Sequence, residues 1–169
     1  MASSRPVVAV IMGSDSDLEV MQRCIDQLRA FELPCEVRIL SAHRTPAAVD
    51  ELASSAADRG IRVIIAAAGL SAALAGAIAA RTSLPVIGVA VPGAMMGGLD
   101  ALLATVQMPP GVPVGCAGIG PAGAVNAAVL AAQIVALGDA ALAGRLSQYK
   151  AELAEKTLAK DREIQGRGV

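Results

Sequence analysis

Seven apolar residues in a row, Pro6 to Met12 (PVVAVIM), end at Gly13. A run this short, with no polar residue alternating through it, predicts a strand buried on both faces, as in a parallel sheet. Beyond it the period changes. Leu18, Met21, Ile25 and Leu28 recur at steps of three and four, the buried stripe of a helix that Ser16 or Asp17 caps and that ends near Phe31, before Pro34. Glu36 to Leu40 (EVRIL) predicts a second strand. After a loop at Ser41 to Thr45, Pro46 takes the first position of a helix running to about Asp58, with Gly60 as its stop. Ile61 to Ala66 reads as a third strand, Ser71 to Ala80 as a helix of small residues, and Pro85 to Val89 as a fourth strand. A Gly- and Met-rich lid or loop, Pro92 to Gly98, leads into a helix over Leu99 to Val106. Val114 to Ala117 completes the strands and Ala122 to Leu137 forms the next helix.

Strand and helix in regular alternation predict an α/β domain: a three-layer, doubly wound, flavodoxin-like parallel sheet with right-handed crossovers. A length of 169 residues suits a single domain over residues 1–169. Asp139 to Lys160 is an additional C-terminal helix, more charged than the rest, with apolar positions at Leu142, Leu146, Tyr149 and Leu153. Because the sheet is already covered on both faces, this stripe is expected to pack on a neighbouring subunit. Residues 161–169 are expected to fray.

Composition sharpens this picture at one place. Between Val63 and Gly138 only Arg81 and Asp100 are charged, and Ala and Gly dominate the segment. Val63 to Ala80 approaches the length of a membrane span, yet its small residues and the prolines at 85, 92, 109, 110, 113 and 121 suit tight packing in a folded domain better. The uncharged segment is therefore expected to lie inside a homo-oligomer, with no membrane partner. A net charge of -1 and only two aromatic residues, Phe31 and Tyr149, argue against a nucleic-acid surface. Cys24, Cys35 and Cys116 are too scattered for a disulfide framework or a metal knuckle, and with a single histidine, His43, no zinc site is expected. The cysteines read as small buried hydrophobes of a cytoplasmic protein, and Met1 to Arg5 carries no signal-peptide pattern.

In a doubly wound sheet, ligands bind at the carboxyl ends of the strands. The first such loop, Gly13-Ser14-Asp15-Ser16-Asp17, joins a tight turn to two hydroxyls and a helix N-terminus, a setting that suits a phosphate or plain helix capping. The second, Ser41-Ala42-His43-Arg44-Thr45-Pro46, sets the only imidazole beside a guanidinium. Arginine grips phosphate oxygens through a fork of donors, and histidine exchanges protons near neutral pH. In the third, Gly69 and Ser71 are the candidate contacts, in a turn of small residues that admits either a ligand or a closely packed helix. Gln107 to Pro113 reads as an ordered turn without acid–base chemistry.

These loops, with the Gln107 to Gly115 turn and the Ala122 to Leu137 helix, resemble the N5-carboxyaminoimidazole ribonucleotide mutases, the PurE family of purine biosynthesis, over roughly residues 6 to 155. The resemblance implies an octameric isomerase, free of metal and cofactor, that moves a carboxylate from N5 to C4 of aminoimidazole ribonucleotide. It makes Ser14, Ser41 and Arg44 ligands of the 5'-phosphate, Asp17 the ligand of the ribose hydroxyls, and His43 the proton shuttle.

The third loop departs from that pattern. Where the mutases carry Gly-Ala-Ala-His-Leu-Pro-Gly, this chain has Leu70-Ser71-Ala72-Ala73-Leu74-Ala75-Gly76, so Ala73 stands at the second family histidine. The stretch is closer to that of the related carboxylases, lyases that use free carbon dioxide and carry a serine here. Those enzymes usually have Lys after the motif histidine, where this chain has Arg44. A carboxylase and a non-catalytic nucleotide-binding module are the alternatives. A phosphoacceptor receiver domain is disfavoured, because the third strand ends in alanines rather than the aspartate it requires.

Overall fold

The computed structural model describes residues 5–93 and 96–167. Five strands, β1 (Val8–Met12), β2 (Cys35–Ile39), β3 (Val63–Ala68), β4 (Val86–Ala90) and β5 (Gly115–Ile119), form one sheet in the order β2-β1-β3-β4-β5. Every pairing is parallel. Between them run α1 (Leu18–Ala30), α2 (Pro46–Ser55), α3 (Leu74–Ala79) and α4 (Leu99–Val106), followed by α5 (Gly120–Ala136) and α6 (Ala140–Gly166). This is the three-layer, doubly wound, flavodoxin-like α/β fold with an added C-terminal helix.

The strand alternation sorts the core into two faces. Val8, Val10, Met12, Val63, Ile65 and Ala67 meet α1, α5 and the start of α6, whereas Ala9, Ile11, Ile64 and Ala66 meet α2 and α3. On the first face Ala124, Ala127, Ala128, Ala131 and Ala132 of α5 are fully buried. Their short side chains let that helix seat against both the sheet and α1. Much of the uncharged stretch is thus consumed by the chain's own core, although Leu99, Leu103 and Val106 on α4 and Leu130 and Leu137 near the end of α5 remain exposed.

Several local expectations need correction. Asp17 stands at the N-cap position of α1 as expected but makes no side-chain capping bond to it; the side-chain cap is Ser14, before a single 3-10 turn over Asp15–Asp17. That turn rotates Leu18 out of the stripe, and it is exposed. The α3 helix starts at Leu74, because Leu70 takes a left-handed conformation (φ 53°) that ends regular structure there. Leu142 and Leu146 are buried in this chain's own core, and Tyr149 packs edge-on against Phe31 with ring centroids 5.2 Å apart. So only the distal part of the stripe, from Leu153 onward, is left for a neighbour. The helix also runs on to Gly166, where fraying was expected from 161. Of the three cysteines, Cys24 alone is fully buried, its thiol pushed up to about 12 by burial and by the neighbouring Cys35 thiol.

Candidate active site

From β1 the chain turns to β2 on one side and then crosses to β3 on the other, so the carboxyl ends of β1 and β3 border the switch-point crevice. The first loop is fastened to that edge. The Gly13 N–H donates to the Ala67 carbonyl at 3.1 Å. Ser14 is extended, its N–H donates to Asp17 Oδ2 at 3.0 Å, and its hydroxyl accepts from the Ser16 N–H at 3.4 Å, a reciprocal capping box. Asp17 is only 7% exposed. Burial pushes its carboxyl above the ordinary 3.8, against the pull of the Ser14 and Gly13 amides, the Ser16 hydroxyl and the Arg44 charge.

The second loop is held from within. Thr45 Oγ1 accepts from the Ser41 N–H at 2.9 Å and donates to the Ser41 carbonyl at 3.1 Å, while Ser41 Oγ accepts from the Arg44 N–H at 3.2 Å. Pro46 then opens α2. These bonds shape the turn from both ends and leave His43 exposed within it. Arg44 reaches out of the turn: its guanidinium donates to the Gly13 carbonyl at 2.7 Å, across 31 positions of sequence. The loop carrying Ser41, His43 and Arg44 is thereby tied to the loop carrying Ser14 and Asp17.

The third loop plays a different part. A Cβ on Gly69 would lie 3.2 Å from the Val91 carbonyl, so that glycine lets the loop pass close to the end of β4. Ser71 is exposed and, with Leu70, Asp100 and Ala104, lines an open cavity of about 500 Å³ between this loop and α4. It therefore faces a compartment adjoining the tied loops. A second depression, of about 650 Å³, runs down the outer side of α1 from Asp15 to Asp26 and meets the first loop at Asp15 and Ser16. Among the described residues no three His, Cys, Asp or Glu side chains group as metal ligands. Of the expected lid, Ala94 and Met95 lie outside the described residues, and Met96 to Gly98 form a turn into α4.

Three residues of this region escaped the sequence reading. Thr45 closes the second loop, and a hydroxyl before a helix Pro was a readable signal. Asp100, one of two charges in the apolar segment, has an Oδ1 shielded from solvent with no hydrogen-bond partner among the described residues. Leu70 left no periodic signal, because backbone strain has none.

A family model described as AIR carboxylase matches residues 7–156. The chain belongs to the AIR carboxylase family. The N5-carboxyaminoimidazole ribonucleotide mutase of Mycobacterium leprae is 51% identical over 161 residues, covering 95% of this chain and 93% of that protein. The Bacillus subtilis protein of the same name is 51% identical over 146 residues, 86% of this chain and 90% of its own. Among solved structures, PurE of Treponema denticola superposes with a TM-score of 0.84 at 30% identity, covering 95% of this chain and 99% of that one. The matched residues include all three loops, with Ser41-Ala42-His43-Arg44-Thr45-Pro46 in the second and Leu70 to Gly76 in the third.

Proposed function

We propose that the chain is an N5-carboxyaminoimidazole ribonucleotide mutase, an isomerase of purine biosynthesis that shifts a carboxylate from N5 to C4 of aminoimidazole ribonucleotide. The observation that carries this reading is the Arg44 to Gly13 hydrogen bond, which joins the loop of Ser14 and Asp17 to the loop bearing the only imidazole. Relatives about half identical to the chain over most of its length bear that name.

In this reading Ser14, Ser41 and Arg44 hold the 5'-phosphate, since one guanidinium nitrogen is engaged by Gly13 and the rest of the fork is left for phosphate oxygens. Asp17 holds the ribose hydroxyls; its Oδ2 already accepts from Ser14. Gly69 and Ser71 border the heterocycle. His43 gives a proton to N5 as the N5–carboxylate bond breaks, the bonding pair staying on nitrogen and carbon dioxide departing. C4 then adds to the carbon dioxide, and the proton displaced from C4 returns to His43. One imidazole serves both halves, and the net result is an isomerisation.

The assembly is a homo-octamer acting in the cytoplasm on this small ribonucleotide, with neither nucleic acid nor membrane as partner. The exposed Leu99, Leu103 and Val106, spaced along one side of α4, support a subunit contact. No described helix is long and apolar enough to cross a membrane. The deciding assay supplies the purified protein with N5-carboxyaminoimidazole ribonucleotide and, separately, with aminoimidazole ribonucleotide plus bicarbonate or carbon dioxide. Product from the first substrate alone supports the mutase. Product only from the second makes it a carboxylase; product from neither removes the enzymatic assignment.

A further inference from the structure

We propose that the outer edge of β2 is a two-fold interface, at which a second copy of this chain adds its own β2 in antiparallel register and joins two five-stranded sheets across Val37. This contact is separate from the exposed side of α4 and independent of the catalytic reading above.

β2 ends the sheet and pairs with β1 alone, in a register without shifts from Cys35 to Ile39. The Val8 N–H donates to the Pro34 carbonyl and the Leu40 N–H to the Met12 carbonyl. Amide groups alternate sides along a strand, so the N–H and C=O groups of Cys35, Val37 and Ile39 point away from β1. A row of unpaired groups like this is a template for another strand, and neither proline nor bulge blunts it here. Val37 is 40% exposed and Ile39 52%, although both stand on the sheet face whose inner strands are covered by α1 and α5.

The strand's own sequence selects the occupant. Cys35-Glu36-Val37-Arg38-Ile39 runs apolar, acidic, apolar, basic, apolar, a pattern that matches its own charges only when reversed. With a two-fold axis at Val37, that residue meets the partner's Val37 and Cys35 meets the partner's Ile39, so all the outward N–H and C=O groups exchange hydrogen bonds. Glu36 then falls opposite the partner's Arg38 at the closer, non-hydrogen-bonded positions, with Cα atoms about 4.5 Å apart, where opposite charges stabilise a strand pair. Arg38 is exposed and has no ion-pair partner among the described residues. Glu36 is held by Arg59 through Oε2 at 2.6 Å, and its Oε1 accepts no hydrogen bond among those residues, so the carboxylate keeps acceptor capacity for a second guanidinium. Moving the axis to Glu36 or to Arg38 sets like charges face to face.

Symmetry and size place this contact within a larger assembly. A copy added in parallel leaves a free edge and invites further growth, whereas the two-fold closes both edges at once. A strand of 5 residues is far fewer than the roughly 20–30 per side of a stable interface, so the edge acts together with another contact, for which Leu99, Leu103 and Val106 of α4 are exposed. Rings stacked back to back need one contact within the ring and one across the two-folds, and the self-complementary strand suits the second.

Disulfide trapping in the full-length chain tests the register, with Cys35 and Cys116 replaced by Ser and the buried Cys24 kept. Val37→Cys sets two thiols across the axis with Cα atoms about 5.5 Å apart, within reach of a disulfide. Arg38→Cys, one residue on, faces the partner's Glu36 instead, and its own counterpart is out of reach. With oxygen and a copper catalyst as the oxidant, most of the Val37→Cys chain should run as a covalent dimer on a non-reducing gel, and Arg38→Cys should stay a single chain. No trapping at 37, or equal trapping at both positions, overturns the proposal. Val37→Lys supplies an arm without cysteine: two ammoniums then oppose one another on the axis. Its mass by light scattering should fall to about half that of wild type or lower, while its melting stays cooperative, because residue 37 makes no backbone bond to β1. An unchanged mass overturns the proposal, as does a wild type that is a single chain in solution. Turnover of N5-carboxyaminoimidazole ribonucleotide is read separately, so trapping at 37 without turnover sinks the catalytic reading and supports this one.

Discussion

Replacing Arg44 by Ala removes two things at once: the donor to the Gly13 carbonyl and the cation assigned to the phosphate. The two are separable by ligand. The bond to Gly13 links exposed loops, each fixed independently by the Ser14 cap and the Ser41–Thr45 pairing, so its loss alters the loops' mutual position only modestly. The phosphate contact is charge-assisted and directional, and losing it should cost about 2 kcal/mol, or roughly 30-fold in affinity. Calorimetric titration with aminoimidazole ribonucleotide should register that loss in Arg44→Ala. The corresponding riboside, which lacks the phosphate, should bind wild type and variant within about threefold of one another. Arg44→Lys should fall between, since an ammonium restores charge without the fork. Unchanged nucleotide affinity refutes the phosphate assignment. Equal losses for nucleotide and riboside refute it too, because Arg44 would then act only by holding the two loops together.

His43→Asn should lower turnover by roughly 100 to 10,000-fold while leaving calorimetric nucleotide affinity nearly unchanged, because Asn keeps polarity but cannot exchange the proton; retention of a tenth of the activity by steady-state assay would remove His43 from the mechanism. Asp17 has a folded-state pKa raised above 3.8 chiefly by burial, so its protonated form favours the fold, and that contribution is lost as pH rises from about 3.8 through the folded value. Melting temperatures measured against pH should therefore show wild type losing ground to Asp17→Asn over that interval, and parallel curves would contradict the burial effect. Ending the chain at Lys150 keeps the buried Leu142 and Leu146 and the half-buried Tyr149, so it should leave a folded protein whose mass by light scattering drops below eight copies. Ending it at Gly138 strips two core leucines, each worth about 2–5 kcal/mol, and should abolish cooperative melting. A Lys150-terminated chain that remains an octamer would show that distal α6 makes no essential subunit contact.

The order of elements was legible from periodicity alone, and α4 begins and ends at the residues its pattern indicated, Leu99 and Val106. The motif loops were legible too, since parallel strands bring their carboxyl ends to one edge and Ser14, Asp17, Ser41, His43 and Arg44 all follow such ends. Periodicity, however, reports that a face is buried without reporting by what. Leu142 and Leu146 carry the same spacing whether they meet a neighbour or their own α1 and α5, and only the packed chain assigns them to the latter. The same holds for the uncharged segment, where alanines of α5 vanish into the core while Leu99 and Leu103 of α4 stay outside. Arg44 and Gly13 are 31 positions apart, and no local pattern couples them, because their meeting depends on β2 lying beside β1. Leu70 marks the limit most sharply: its side-chain type belongs to a core, whereas the left-handed turn at the end of β3 holds it at the cavity mouth. That choice is made by the close passage of Gly69 beside Val91 and the seating of α3, which are properties of the assembled sheet.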